Sequence, residues 1–357
     1  MVWVADPDTT VTLYRDLALV GDQVWVLSQT SPFLHRYAND GFGLGATLRV
    51  GDGPTELRLP NWIVPSSGSG EGGVAAFVVH RMRELVPLDS VGGPRDPRIP
   101  FTTGGGVSMQ FLSALSYGEA QLVRRGPAGR LVVQRQEAEV VQQPRDIGNA
   151  LVLLLDTTGV VLDTIADLAA MMADLSDEQV KTFVPLPLWA MCGEETVVTY
   201  SPREDALAWR TLRGDVTSTV EVRSAPRAIT QADRRRFARA VILRETRGQG
   251  SQARQLLASL GSLVTQMGPS FAKTAPPAVR VLCDWDGTAW LQLFDTEVDP
   301  RGYGREWWSF TPTGSQARLL MPGDFHPQTV AGGQFTGWLT DEDGVQRVAR
   351  VVAPGRR

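Results

Sequence analysis

The chain has 357 residues, of which 43% are hydrophobic and 21% are charged, a composition typical of a globular protein rather than a disordered chain. Its net charge of −4 argues against a nucleic-acid-binding protein, and no run of about 18 apolar residues predicts a membrane span. The 36 glycines and 23 prolines favour many short strands joined by tight turns.

The first 50 residues contain a complete example of a unit that the rest of the chain repeats. Four predicted strands follow one another within residues 16–50, with tight turns at residues 21–22 and 39–41. Aliphatic and polar residues alternate in these strands, or the aliphatics run on continuously, as in strands buried on one or both faces. The Asn-Asp-Gly turn supplies the positive φ that a tight hairpin needs. The unit is therefore predicted to be a sheet of four antiparallel strands.

Similar units follow along the whole chain. Their boundaries are residues 16–50, 59–100, 106–167, 185–222 and 278–321, and a sixth unit of three strands ends at residues 345–352. We expect residues 10–14 to supply the missing outer strand, because pairing the two chain ends removes the last open sheet edge. The sequence thus predicts an all-β fold: one six-bladed β-propeller of four-stranded antiparallel blades over residues 1–357, closed by an N-terminal strand. We expect a monomer.

One segment, residues 230–267, has helical periodicity instead. Apolar residues recur there at spacings of three and four, Thr230 is a suitable N-cap, and glycines at positions 248 and 250 divide the segment in two. We predict a helical hairpin, inserted at residues 226–276 between the fourth and fifth blades.

The densest basic run lies in the first of these helices. Residues 234–236 are all arginine, and Arg239 and Arg244 follow at helical spacing. A nucleic-acid-binding face and a solvated helix face both fit such a run, and the solvated face is favoured because no wider basic stripe accompanies it.

Several motifs resemble those of six-bladed β-propeller proteins of bacterial genomes, distantly related to NHL-repeat and TolB-like propellers. Residues 51–57 followed by Pro60 resemble a blade-junction phrase, residues 284–290 resemble a hairpin of the Asp-x-Asp-Gly type, and Gly337-Trp338 resembles the pair of the final blade. The family has no common activity to carry over. Because most members are exported, the resemblance implies the cell envelope or secretion. Residues 1–10 show no signal peptide, so a cytoplasmic location stays open.

Acidic turns and histidines are the candidates for metal or catalytic chemistry. Residues 284–287 and 341–344 are acidic, but neither continues with the alternating ligands and closing Glu of an EF-hand, so both are interpreted as β-turns. His35 and His80 fall within predicted strands, whereas His326 lies on a loop between blades. We predict no metal and no cofactor.

Cys192 and Cys283 are the two cysteines, and both flank predicted turns of neighbouring blades. A disulfide is compatible with this placement but needs suitable Cα separation. Two buried free thiols are the favoured interpretation.

The face that collects the loops between blades and the loops between the second and third strands of each blade is the expected binding face. The candidate ligand-binding residues on it are Glu56, Arg58, Arg203, Asp205, Arg301, Tyr303, Asp324 and His326. The helical hairpin leaves the same face and could cap it.

Two functions compete for this face. The first is a binding scaffold for an unknown protein, peptide or glycan, because the predicted surface is large and rigid and no catalytic set is recognisable. The alternative is a propeller enzyme of the lactonase, hydrolase or lyase type, with a metal or carboxylate site in the channel. Asp16 is the one clear acid predicted at the start of a first strand, which makes the enzyme the weaker hypothesis.

Overall fold

The computed structural model of the protein describes residues 3–4, 14–51, 56–57, 60–65, 74–80, 84–96, 98–100, 123–125, 130–136, 150–156, 160–172, 182–246, 250–297, 299, 302–340 and 346–353. Within them the chain is mostly β and forms six sheets, each with four antiparallel strands. Strand β1 (Trp3–Val4) comes first in the chain and belongs to the last sheet.

The six sheets follow the chain in order. Sheet 1 comprises β2 (Tyr14–Val20), β3 (Gln23–Ser28), β4 (Leu34–Tyr37) and β5 (Gly43–Thr47), and sheet 2 comprises β6 (Pro60–Pro65), β7 (Ala76–His80), β8 (Glu84–Leu88) and β9 (Ile99–Pro100). Sheet 3 comprises β10 (Val123–Arg125), β11 (Leu131–Gln136), β12 (Ala150–Leu155) and β13 (Val161–Asp167), and sheet 4 comprises β14 (Leu188–Cys192), β15 (Thr196–Ser201), β16 (Ala206–Thr211) and β17 (Val216–Glu221). Sheet 5 comprises β18 (Ala278–Cys283), β19 (Ala289–Phe294), β20 (Tyr303–Phe310) and β21 (Gln316–Leu320), and sheet 6 comprises β22 (Phe325–Ala331), β23 (Gln334–Thr340), β24 (Gln346–Val352) and β1.

The N-terminal residues add the fourth strand to sheet 6, but the predicted segment was wrong. Trp3 and Val4 pair with Arg350 and Ala349 of β24, whereas residues 10–14 were expected in this position. Tyr14 instead begins β2, since its ring is buried in sheet 1 against sheet 6. Residues 10–13 lie outside the described residues.

Buried apolar clusters join the sheets in cyclic order. Each cluster draws side chains from two neighbouring sheets, namely 1 and 2, 2 and 3, 3 and 4, 4 and 5, 5 and 6, and finally 6 and 1. In the last cluster the rings of Tyr14 and Trp338 have centroids 5.7 Å apart. The first strands of neighbouring sheets also contact one another. β2 contacts β22 and β6, β6 contacts β10, and β18 contacts β14 and β22. Since each fully buried large apolar side chain contributes about 1.5–3 kcal/mol, these clusters hold the sheets together. The arrangement is consistent with a propeller.

Cys192 and Cys283 form a disulfide, so the expectation of two free thiols was wrong. They are the last residues of β14 and β18, the first strands of sheets 4 and 5, and their Cα atoms are 4.9 Å apart. Because these two strands lie side by side, the cysteines come within the range that a disulfide requires. Sequence spacing alone could not show this separation.

Three helices lie between β17 and β18. They are α1 (Gln231–Glu245), α2 (Gly250–Ala258) and α3 (Leu260–Gln266), followed by one 3₁₀ turn at Gly268–Ser270. The second predicted helix is thus divided at Ser259, whose Oγ donates to Leu256 O at 3.0 Å and competes locally with the helical bonding pattern. α1 packs against both α2 and α3. No helix in the described part of the chain is long and apolar enough to cross a membrane.

Candidate ligand-binding face

The two ends of each sheet carry different connections. We call "loop face" the end with the loops that precede first strands and join second to third strands, and "turn face" the opposite end. First strands of neighbouring sheets run in the same direction. Arg15 at the start of β2 donates a hydrogen bond to Pro60 O at the start of β6, and a disulfide joins the last residues of β14 and β18. The loop faces of these sheets therefore lie on one side.

The described candidate residues lie in loops of the loop face or at the starts of the strands that follow these loops. Arg203 and Asp324 are exposed, Glu56 and His326 are half-buried, and Arg58 and Arg301 lie outside the described residues. The carboxylate of Glu56 lies against Gly51, within its own loop. His326 is the second residue of β22 and pairs with Trp338, so the loop position predicted for it was wrong.

Asp205 is held inside the loop between β15 and β16. Its carboxylate accepts hydrogen bonds from the Tyr200 hydroxyl at 2.9 Å and from the Ser224 backbone N–H and hydroxyl at 2.6 and 2.8 Å. Burial, and secondly the Asp205 charge, raise the pKa of Tyr200, so its hydroxyl remains a donor. Asp205 has a φ of 48°, a left-handed conformation that is uncommon outside glycine but tolerated by Asp. These contacts give Asp205 a structural role.

Bulges mark the starts of four first strands, a feature that the sequence analysis missed. The strand register shifts by one residue near Arg15 in β2, Asn61 in β6, Val279 in β18 and Gln328 in β22. Bulges re-aim side chains and are common at rims and beside binding sites. Proline within a strand was the available signal, since Pro60 and Pro327 adjoin two of these bulges.

Charged side chains near these bulges fasten neighbouring sheets. Arg15 Nη1 of sheet 1 donates to Pro60 O of sheet 2 at 3.2 Å, and the Ile63 N–H of sheet 2 donates to Asp16 Oδ2 of sheet 1 at 2.7 Å. Burial lowers the pKa of the Arg15 guanidinium. The carboxylate proposed for channel chemistry in the enzyme hypothesis is thus hydrogen-bonded to the backbone of the next sheet.

The same arrangement recurs between sheets 5 and 6. Arg280, a buried residue of β18, donates through Nη1 to Pro327 O of β22. Its guanidinium also lies over the ring of Tyr303, 5.1 Å from the centroid. Tyr303, one of the predicted ligand residues, is therefore packed against a cation on the loop face.

A buried carboxylate fixes the base of α1 to the loop face. Asp233 is fully buried and accepts hydrogen bonds from Thr230 N at 2.8 Å, from Arg227 Nη2 at 2.7 Å, and from the Thr296 hydroxyl in the loop between β19 and β20. Burial favours the neutral acid, but the hydrogen bonds from Thr230, Thr296 and Arg227 outweigh it, so the pKa of Asp233 lies below its ordinary value. The first turn of α1 is thereby tied to sheet 5.

An aromatic cluster completes this attachment. The ring of Phe183, before sheet 4, lies 5.3 Å from Phe237 of α1, 5.7 Å from Phe271 and 4.9 Å from Phe294 of β19, measured between centroids. Phe183, Phe271 and Phe294 are all buried. Edge-to-face aromatic pairs add about 0.5–1.5 kcal/mol each to the burial of their surface. These rings thus pack α1 and the segment after the helices against sheet 5.

The arginines of α1 divide into two groups. Arg234 lies over the Phe271 ring at 5.8 Å, and Arg236 pairs with Glu297 at 3.2 Å. Arg235 and Arg239 are exposed, and Leu243, four residues further, is 48% exposed. On the predicted solvated face, Arg235, Arg239 and Leu243 therefore form an exposed row with a spacing of four residues.

Acidic, histidine and cysteine side chains are the residues most able to bind a metal ion. Among the residues that the structure describes, no three or more of them are placed to share a metal ion.

Comparisons with known proteins give structural likeness alone. No family model and no curated protein matches the chain. A streptogramin B lyase structure is 9% identical with a TM-score of 0.43, and covers 98% of this chain and 86% of its own. A luciferin-regenerating enzyme is 11% identical with a TM-score of 0.44, and the match covers 99% of this chain and 96% of the enzyme. A Bacteroides fragilis protein is 8% identical with a TM-score of 0.46, and the match covers 98% of this chain and 92% of that protein. The description of the fold accordingly depends on the strand pairing of this chain.

Proposed function

We propose that the six sheets are the blades of one six-bladed β-propeller over residues 1–357, with residues 226–276 inserted as a helical hairpin between the fourth and fifth blades. The buried clusters support a ring, since they link each sheet to the next and sheet 6 to sheet 1. The pairing of β1 with β24 supports closure by the chain ends.

We propose that the protein is a binding scaffold whose loop face, together with α1, binds an acidic segment of a partner. The row formed by Arg235, Arg239 and Leu243 carries this proposal. The row is exposed, lacks an acidic residue, and stands on a helix held by buried Asp233. A preorganised surface loses little conformational entropy on binding, and arginine is enriched among residues that contribute most to binding.

The eight predicted ligand residues remain part of the proposed face. Exposed Arg203 lies on it beside exposed Glu204, while Tyr303 packs against the buried guanidinium of Arg280. A lactonase-type or lyase-type enzyme would instead need carboxylates available in the channel. Asp16 Oδ2 already accepts the Ile63 N–H, which favours the scaffold.

Charge reversal of the α1 row tests the binding proposal. A fluorescein-labelled decaglutamate peptide is expected to bind the unmodified protein, more weakly as salt increases. The double variant Arg235→Glu/Arg239→Glu is expected to bind about ten-fold or more weakly, since each removed charge pair at an interface contributes about 1 kcal/mol or more.

Arg213→Glu is the matched control, because Arg213 is an exposed arginine on the turn face of sheet 4. It is expected to bind like the unmodified protein. Equal binding by all three proteins would reject the loop face as the site. A sulfated heparin tetrasaccharide and a short DNA duplex complete the set of probes. Stronger binding of the saccharide would identify an anionic glycan as the ligand, and stronger binding of the duplex would contradict the expectation of no nucleic-acid partner.

We further propose that the protein functions in the cell envelope or after secretion. The Cys192–Cys283 disulfide supports this location, since structural disulfides persist mainly in oxidising compartments. Alkylation of the native protein directly on cell lysis, followed by mass spectrometry, should find both cysteines unmodified. Alkylation of both would place the protein in a reducing compartment.

A further inference from the structure

Three turns meet on the turn face of sheets 4, 5 and 6. They are the turn after β14 at residues 193–195, the turn after β18 at residues 284–288, and the turn after β22 at residues 332–333. The Cys192–Cys283 disulfide joins the first two, immediately before each turn begins. The three turns thus form one connected surface.

Asp284 holds the central turn to sheet 6. Its side chain is fully buried, and its carboxylate accepts the backbone N–H groups of Gly332 at 2.9 Å and Gly333 at 2.7 Å. The carboxylate also accepts the N–H of Trp285 at 2.8 Å. From sheet 4, Trp209 Nε1 donates to Gly287 O at 2.8 Å. The central turn is therefore fixed from both neighbouring sheets.

Trp285 stands at the tip of this fixed turn and is 75% exposed. The tryptophans within the sheets are buried instead, for example Trp209, which is 1% exposed, and Trp290, which is 4% exposed. Glycines border it on both sides: a Cβ at Gly193 would lie 3.6 Å from Trp285 O, and one at Gly332 would lie 4.0 Å from Trp285 Nε1. The exposed indole is thus held in place by a rigid support with small neighbours.

The surroundings of the indole are acidic. Glu194 and Glu195 directly follow Gly193, Asp286 directly follows Trp285, and all three are exposed. The three turns contain no lysine, arginine or histidine. Asp286 Oδ1 also accepts the Thr288 N–H at 2.8 Å. The three acidic residues give these turns a negative charge that favours the approach of a positively charged group.

We propose that Trp285, with Glu194, Glu195 and Asp286, forms a docking surface for an arginine or lysine side chain in a basic segment of a partner protein. A cation over an indole face is attracted by the ring quadrupole, and tryptophan is the best aromatic partner for it. The carboxylates add charge complementarity and steer the approach of a basic segment. Because the turn is already ordered, binding costs little conformational entropy. This surface lies at the opposite end of the sheets from α1 and is independent of the loop-face proposal.

Fluorine NMR of protein labelled with 5-fluorotryptophan tests the proposal at the indole itself. The resonance absent from Trp285→Phe belongs to Trp285. Titration with a tetra-arginine peptide at low salt is expected to shift this resonance saturably and to leave those of the buried tryptophans in place. Tetraglutamate is expected to cause no shift.

Calorimetric titration with the same tetra-arginine peptide separates the contribution of the Trp285 indole from that of the three carboxylates. Trp285→Ala is expected to bind about two- to five-fold more weakly, the effect of one exposed cation–π contact. The triple variant Glu194→Gln/Glu195→Gln/Asp286→Asn is expected to bind about ten-fold more weakly and with less dependence on salt. Glu204→Gln, which removes an exposed acid from the loop face of sheet 4, should bind like the unmodified protein.

Three results would overturn the proposal. The first is a Trp285 resonance that does not move with tetra-arginine, and the second is a Trp285→Ala variant that binds the peptide as tightly as the unmodified protein. The third is a resonance that moves with neutral chitotetraose but not with tetra-arginine. The last result would identify a sugar-stacking platform instead. Because Trp285 is mostly exposed, its variants should unfold at the temperature of the unmodified protein, which verifies that lost binding is not lost folding.

Discussion

The Asp233 carboxylate has a hydrogen-bonded partner in three parts of the chain: the N-cap Thr230, Arg227 before the helix, and Thr296 in sheet 5. Its folded pKa lies below the ordinary value because these hydrogen bonds outweigh burial. A depressed carboxyl pKa stabilises the fold above the unfolded value of about 3.9, and this stabilisation is lost as the pH falls through the folded value.

Asp233→Asn is therefore expected to lower the free energy of unfolding by about 2 kcal/mol at neutral pH, because hydrogen bonds to a charged group are weakened. The difference from the unmodified protein should shrink as the pH falls below the unfolded value of about 3.9 and through the lower folded pKa, where Asp233 becomes protonated. Thermal or urea unfolding at several pH values measures both effects.

Glu297→Gln supplies a comparison for Asp233→Asn. The Glu297 side chain is 69% exposed and pairs with Arg236, and an exposed pair of this kind contributes less than about 1 kcal/mol. The account of Asp233 would be wrong if both variants had equal stability, or if the deficit of Asp233→Asn were the same at low and neutral pH.

At the residue scale, local signals were predictable and contacts between sheets were not. Thr230 was predicted as the N-cap, and the structure confirms it, since Asp233 N donates to Thr230 Oγ1 at 3.2 Å. Capping depends on residues three apart, which the sequence shows directly. The bond from Arg280 to Pro327 O joins residues 47 positions apart across a bulge, and no local pattern encodes it.

At the element scale, the disulfide links two first strands that are separated by 91 residues. Closing so long a loop restricts the unfolded chain considerably. The variant Cys192→Ala/Cys283→Ala, or reduction of the unmodified protein, is expected to lower the free energy of unfolding by about 2–4 kcal/mol. Urea unfolding with and without dithiothreitol measures the change.

The cysteine variant also provides the control for this measurement. Dithiothreitol should not alter its unfolding midpoint, because it has no disulfide to reduce. An unchanged midpoint for the unmodified protein on reduction, or free thiols titrated before reduction, would contradict the bridge.

Elements with strong periodicity and clear turn residues were predictable. The strand predicted at residues 23–28 is β3, which pairs through a tight turn at Gly21 with β2. The helical segment at residues 230–267 was predicted, but its break at Ser259 depends on one side-chain hydrogen bond. The strand boundaries of sheets 2 and 3 were uncertain because glycine-rich stretches lack periodicity, and residues 101–122 lie outside the described part.

At the scale of the whole molecule, repetition of one unit predicted six sheets before any contact between them was known. Repetition succeeds because each unit needs a neighbour to bury its two faces, so similar units stack in order. The identity of the closing strand could not be derived in this way. Within the described N-terminal residues, Trp3 and Val4 pair with β24, and a strand of two residues has no periodicity to detect.

Removal of residues 1–5 tests whether the N-terminal strand protects the edge of sheet 6. The deletion eliminates β1 and leaves β24 as an exposed outer edge of sheet 6. We expect the free energy of unfolding to fall by about 1–3 kcal/mol, since a few backbone hydrogen bonds of about 1 kcal/mol each are lost. We also expect self-association, because an unpaired edge is a template for another strand.

Size-exclusion chromatography with light scattering should show the unmodified protein as a monomer and the truncated protein as larger species that increase with concentration. Deletion of residues 355–357 is the control and should change neither property. A truncated protein that stays monomeric and equally stable would show that sheet 6 does not depend on β1. The contact between Tyr14 and Trp338 would then be sufficient to hold sheets 6 and 1 together.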